Sequence, residues 1–303
     1  MHIFASIFLD DILPIFIVAA VGYLLARHAG TNVKTLSAVS FNALSPCLVF
    51  DQLVRSSIEG SVFGRMAVFC LLLTLVMGVV AWLTAAPLRL NRQTFISFLL
   101  VVMFSNSGNY ALPVVLFAFG REALAYASLY FVASAMVTYT LGVGVAATGR
   151  GDVRQAVAGI VRVPALWAVA AAAAILFTGT TVPVSVMRPI TLLSDAAIPV
   201  MLLILGMQLQ AAAMPERPGV VGVAVALSLL VGPLVGVGLT LLLGLTGQAR
   251  QVAIVGASMP AAVITTVLAL EFDLDPSFAT AAVFLSTILS PFTLVLLIAY
   301  LKR

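Results

Sequence analysis

Apolar residues run through this chain in stretches far longer than a strand. Met66–Ala86 and Val220–Leu245 are nearly unbroken, and such runs meet the roughly 20-residue requirement for a helix that crosses a bilayer. Strands of a transmembrane barrel would instead alternate polar and apolar over about 10 residues. The pattern predicts an all-α polytopic membrane protein with ten transmembrane helices. They fall at residues 12–27, 37–54, 62–86, 94–119 and 122–147, then 163–178, 187–210, 219–245, 250–271 and 277–301. Pro14 and Pro164 lie near the starts of the first and sixth, where a missing N–H is tolerated. Loops are short, and the one most like a boundary between halves is Thr148–Val163.

The two halves share features at a near-constant offset. Shifted by 153 residues, FNALSP at 41–46 falls on SDAAIP at 194–199, which pairs Asn42 with Asp195 and Pro46 with Pro199. The same shift carries Ser105 onto Ser258 and Phe131 onto Phe284. Shifted by 152, VLFAFG at 115–120 falls on VLALEF at 267–272. These matches indicate a duplication, with a first repeat over residues 1–150 and a second over 151–303. Each repeat holds five helices, an odd number, so consecutive units insert in opposite orientations. This is the inverted-repeat plan of many secondary transporters.

Composition narrows the class further. Of 303 residues, 62% are hydrophobic and 9% charged, against about 45–50% and 25% in soluble domains. The chain lacks the polar residues to cover a soluble globule, and it is too apolar for disorder. The net charge of +4 is scattered singly through loops, so it points to the bilayer and not to nucleic acid. With the N-terminus outside, basic residues in the first five helices divide seven inside to three outside. That bias favours an N-out, C-out orientation. Met1–Asp11 has no cationic n-region and carries Asp10 and Asp11, unlike a cleavable signal peptide. Cys47 and Cys70 both sit in apolar segments and make neither a disulfide framework nor a zinc site. Histidine occurs only at His2 and His28, and neither HExxH nor GxSxG is present. No catalytic residue, metal or cofactor is expected, and an enzyme is disfavoured.

Polar chemistry collects in two corresponding places. The fourth segment is interrupted by FSNSGNYALP at 104–113 and the ninth by GASMPAAVITT at 256–266. Ser, Asn and Gly weaken a helix interior, and proline removes a backbone hydrogen bond. Unwound backbone at bilayer depth must be buried in protein or line a wet cavity. Paired interruptions of this kind are the best pointer from sequence to a transporter's binding site. The candidates are Ser105, Asn106, Ser107, Asn109, Tyr110 and Pro113 in the first, Ser258, Met259 and Pro260 in the second, and Asn42. Half-helix N-termini and amide N–H groups suit an anion. The amide oxygens would equally serve a cation, and the simpler alternative is a proline kink packed with small residues. Asp195 is the acid most clearly inside a segment, and intramembrane acids are functional by default. It is the candidate proton carrier, cation ligand or ion-pair partner. Asp51 and Arg55, one turn apart, read as a local interfacial pair, and Glu271, Asp273 and Asp275 as a solvated turn.

The spacing from Asn106-Ser107 to Pro113 resembles the fourth helix of the auxin efflux carrier family. The pattern of Pro260, Ala269, Glu271, Phe272 and Pro276, followed by SPFTL at 290–294, is similar to that family's ninth and tenth helices. The resemblance covers the whole chain. It implies two inverted five-helix repeats whose broken fourth and ninth helices cross at mid-membrane, as in the bile-acid symporter and sodium/proton antiporter plan. It implies a scaffold of helices 1, 2, 6 and 7, a transport domain of helices 3–5 and 8–10, and a homodimer through the scaffold. Family substrates are small organic anions, auxin-like or malate- and malonate-like carboxylates. Asn106 and the crossover at Pro113 and Pro260 would hold the carboxylate, and export would follow an elevator movement. The short hinge after the fifth helix resembles bacterial members, so the bacterial inner membrane is the expected location. The alternative is a sodium- or proton-coupled symporter or antiporter of the same plan.

Overall fold

The computed structural model describes residues 2–56, 58, 60–146, 163–210 and 217–302. The hinge segment at 148–162, with Arg150, Arg154 and Arg162, lies outside them, as does the boundary between the two halves. Among the described residues the regular elements are all helices, and the extended backbone forms one isolated β-bridge. Helix α1 spans Phe4–His28, α2 Val33–Val54, α3 Gly60–Leu88, α4 Arg92–Met103 and α5 Ala111–Ala146. After the hinge, α6 spans Pro164–Thr178, α7 Val184–Gln210 and α8 Pro218–Leu242. Then come α9 (Gly247–Ala257), α10 (Ile264–Glu271) and α11 (Pro276–Leu301). Seven of these (α1, α2, α3, α5, α7, α8 and α11) are long and apolar enough to cross a membrane, and α4 and α6 are shorter apolar helices. Leu234, Leu241, Leu242 and Phe292 are exposed on the outer surface, where a bilayer would take the place of water.

Two helix boundaries differ from the expected ones for a physical reason. The first helix begins at Phe4, not near residue 12, so Asp10 and Asp11 lie within it. Asp11 is tolerated there because Lys302, at the end of α11, reaches its carboxylate at 2.6 Å. Asp10 accepts a hydrogen bond from Ser6 one turn earlier. The second difference is at the fourth segment, where the break covers 104–110 and Pro113 stands in the first turn of α5. In that turn a missing N–H leaves no helical bond unmade. Gly120 then turns the chain sharply inside α5 with φ 82°. A side chain there would be strained, and the turn divides α5 into arms at 111–119 and 121–146.

Helices α1, α2, α6 and α7 pack on one another, and α3, α4, α5, α8, α9, α10 and α11 form a second group. The groups meet where the first turns of α1 touch α5 and α11, and where α2 touches α5. Small residues set the closest approach, as is usual between membrane helices. A β-carbon on Gly206 would stand 1.7 Å from the Ala19 carbonyl oxygen of α1, and one on Gly22 would stand 2.1 Å from the Leu203 oxygen of α7. Backbone on both sides leaves nothing to rotate away. Gly206→Ala should therefore force α1 and α7 apart and cost about 1–3 kcal/mol, the range for overpacking. Thermal unfolding in detergent measures this, and an unchanged midpoint would contradict the close α1–α7 crossing.

Candidate functional site

The two interruptions meet. Strand-like backbone at 104–106 lies antiparallel to 260–262, with an isolated bridge between Ser105 and Ala261. Asn106 N–H donates to the Pro260 carbonyl at 2.8 Å, and Ala262 N–H donates to the Phe104 carbonyl at 2.9 Å. Side chains brace the crossing. Ser105 Oγ donates to the Gly256 carbonyl at 3.0 Å, and Ser286 Oγ of α11 accepts from Ala261 N–H at 3.2 Å. The ring of Tyr130 lies against Gly256, where a β-carbon would be 2.3 Å from the ring. Tyr110 turns away from the break and bonds Ser290 of α11 at 2.9 Å, fully buried.

A cavity of about 290 Å³ adjoins the crossing. Ser105, Asn106, Ser107 and Asn109 line it from the first break, and Ala262, Val263 and Ile264 from the second. Phe41 of α2, Gln208 of α7, and Phe131, Thr138 and Tyr139 of α5 complete the wall. No described lining residue carries a charge. The cavity is instead rich in unspent donors. Asn106 is buried, and its Nδ2 has no hydrogen-bond partner. Among the described residues, the backbone N–H groups of Gly108, Asn109, Val263 and Ile264 make no hydrogen bond either. They precede or open the half-helices that begin at Ala111 and Ile264, whose positive ends favour negative charge. Asn106 Nδ2, a buried donor left unpaired, costs about 1–3 kcal/mol, so this wall favours a ligand that brings acceptors.

The other candidates lie elsewhere. Pro260 contributes its carbonyl to the crossing and Pro113 its ring to the buried start of α5. Ser258 Oγ donates to the Ile254 carbonyl at 2.6 Å, and Met259 is buried behind the crossing with Met77 and Leu73. Asn42 is exposed and bonds the Ala38 carbonyl of its own helix. Gln208, Phe41, Phe131 and Tyr139 were not singled out from the sequence. Phe41 and Phe131 entered only through the repeat matches, and Gln208 as a polar residue in the apolar run LLILGMQLQ at 202–210.

Asp51, near the end of α2, and Asp195, in the first half of α7, lie away from this cavity. A second, polar cavity of about 650 Å³ is lined by Asp51, Arg55, Arg121, Glu122, Tyr126 and Gln248 among others. Asp51 is the buried acid, 3% exposed, and its carboxylate accepts from Arg55 at 2.8 Å, Thr191 at 3.1 Å and Ser194 at 3.2 Å. It therefore ties α2 to α7 and is more than a local interfacial pair. Asp195 is half-exposed, and Arg121 of α5 stands 3.7 Å away. Asp275 caps α11 through Phe278 N–H and accepts from Thr94 of α4 at 2.7 Å. Among the described residues no cluster of His, Cys, Asp or Glu is placed to hold a metal.

The profile of a family described as membrane transport protein matches residues 7–158 and 153–298. An uncharacterized transporter of Methanothermobacter thermautotrophicus is 28% identical over 93% of this chain and 94% of its own length. A second uncharacterized transporter, from Methanocaldococcus jannaschii, is 25% identical over 93% of this chain and 95% of its own. A probable auxin efflux carrier component of rice is 33% identical over 39% of this chain and 22% of its own.

Burial separates the two membrane acids by their expected effect on stability. Asp51→Ala removes the acceptor shared by Arg55, Thr191 and Ser194 and should cost about 1–3 kcal/mol. Asp195→Ala breaks an exposed pair and should cost under about 1 kcal/mol. Thermal unfolding of both variants checks the order, and an equal or reversed ranking would contradict it.

Proposed function

We propose that this chain, which belongs to the membrane transport protein family that includes the auxin efflux carriers, is a secondary carrier of small organic carboxylates. Membership makes it an integral membrane transporter and not an enzyme. The observation that carries the substrate reading is the donor-rich, charge-free wall at the crossing. An anion held there meets Asn106 Nδ2, free backbone N–H groups and two half-helix N-termini, with no acid among the described lining residues. The same lack of acids weighs against a sodium site at the crossing, which would need anionic oxygen ligands.

The substrate class is auxin-like or malate- and malonate-like carboxylates, and export is the direction the family resemblance favours. Ten membrane crossings result when α4 and the first arm of α5 count as one broken span and α9 with α10 as another. Two inverted repeats, 1–150 and 151–303, account for the antiparallel meeting of those spans. The scaffold corresponds to α1, α2, α6 and α7, and the transport domain to the second packing group. A boundary between two packed groups, with the cavity drawing walls from both, supports an elevator movement of one against the other. Homodimerisation through the scaffold, residence in a bacterial inner membrane and an N-out, C-out orientation complete the reading. Asp195 is its coupling candidate. It faces Arg121 across the group boundary, where protonation would loosen the pair.

Asn106→Ala should weaken carboxylate binding about 10–100-fold, the loss expected for a hydrogen bond to a charged acceptor. Isothermal titration of the detergent-purified protein with malate, malonate and indole-3-acetate measures it, alongside thermal unfolding to show that the fold persists. Unchanged affinity in a folded variant would reject the crossing as the carboxylate site.

A further inference from the structure

The cavity holds a second unpartnered amide, of the opposite hydrogen-bonding sense. Gln208, near the end of α7, lines the same space as Asn106, and its buried Oε1 has no donor. The two residues come from different packing groups, Asn106 from the crossing and Gln208 from the helix that packs on α1 and α2. The crossing supplies donors: Asn106 Nδ2 and the N–H groups of Gly108, Asn109, Val263 and Ile264. Gln208 supplies an acceptor. The rest of the wall includes the rings of Phe41, Phe131 and Tyr139, with Ser37 and Thr138. At about 290 Å³ the space suits a small molecule.

We propose that Gln208 is a specificity-determining residue that accepts a hydrogen bond from the substrate, so that the carrier selects carboxylates bearing a hydroxyl or N–H group over analogues lacking one. The inference rests on the carboxylate reading of the crossing and adds the other end of the ligand. A carboxylate satisfies the donor wall, but it has nothing to offer Gln208 Oε1. A ligand with a donor at its far end leaves neither amide unpaired. A site with a buried acceptor discriminates strongly against ligands that leave it unmet, because the desolvated oxygen then keeps its full penalty. Gln208 lies on the scaffold side of the boundary. Its bond to substrate would therefore also be one that forms and breaks as the groups move.

The test is titration of the full-length protein in detergent with two matched pairs, malate against succinate and 3-hydroxybutyrate against butyrate, for the wild type, Gln208→Met and Asn106→Ala. Methionine keeps the side-chain length and removes the acceptor. The expected result is a preference of about 10–100-fold for the hydroxy acid of at least one pair in the wild type. That preference should collapse to within about threefold in Gln208→Met while the affinity for the plain acid is kept. A merely structural role would lower both members of a pair together and leave their ratio unmoved. Equal wild-type binding within each pair overturns the proposal and leaves the carboxylate site standing, as does a preference that survives Gln208→Met. Binding of none of the four acids, or binding indifferent to Asn106→Ala, overturns the carboxylate reading and this inference with it.

Discussion

Two reciprocal backbone hydrogen bonds, Asn106 N–H to Pro260 and Ala262 N–H to Phe104, close the polar centre of this protein. Interrupting a helix at bilayer depth frees several N–H and C=O groups, each costly to leave unpaired in hydrocarbon. One broken helix alone would leave them all to solvent or strain. Two broken helices laid antiparallel satisfy each other's central groups, and the Ser105 and Ser286 hydroxyls take up further carbonyl and N–H groups beside them. The glycines around the crossing follow from this arrangement. Gly256 admits the Tyr130 ring, while Gly232 and Gly236 let α8 lie directly on the end of α9.

The pairing is incomplete, and the remainder gives the site its chemistry. Donors are left over on the cavity side and acids are absent from the wall. The ion pairs lie toward the other end of the molecule. The three ion pairs among the described residues, Asp11–Lys302, Asp51–Arg55 and Arg121–Asp195, join elements where α1 begins, α2 ends and α7 begins. Two of them span the boundary between the packing groups. Cavities open at both ends, about 650 Å³ among Asp51, Arg55 and Arg121 and about 290 Å³ beside the crossing, near the start of α2 and the end of α7.

Much of this was legible in the sequence. Helical type and membrane residence followed from the long apolar runs, and both interruptions followed from clustered Ser, Asn, Gly and Pro. The turn at Gly120 fell between the fourth and fifth predicted segments. Three features were not legible, each because it depends on a distant partner. The first helix could not be extended through Asp10 and Asp11 without Lys302, 291 residues away. Asp51 looked interfacial because Thr191 and Ser194 are contributed by another helix, whereas Asp195 looked embedded because its environment, half-exposed beside Arg121, is tertiary. Gln208 was one polar residue at the end of an apolar run, and only the folded chain brings it to the same cavity as Asn106. Local pattern located the broken backbone, and packing decided which side chains face the space beside it.

The central claim is that the donor-rich wall at the crossing is where a carboxylate sits. A structure determined by crystallography with malate bound tests it most directly. The account predicts ligand density whose carboxylate lies within hydrogen-bonding distance of Asn106 Nδ2 and of the N–H groups of Gly108, Asn109, Val263 or Ile264. Density placed instead between Arg55 and Arg121 in the polar cavity at the opposite end, with the crossing empty, would contradict it.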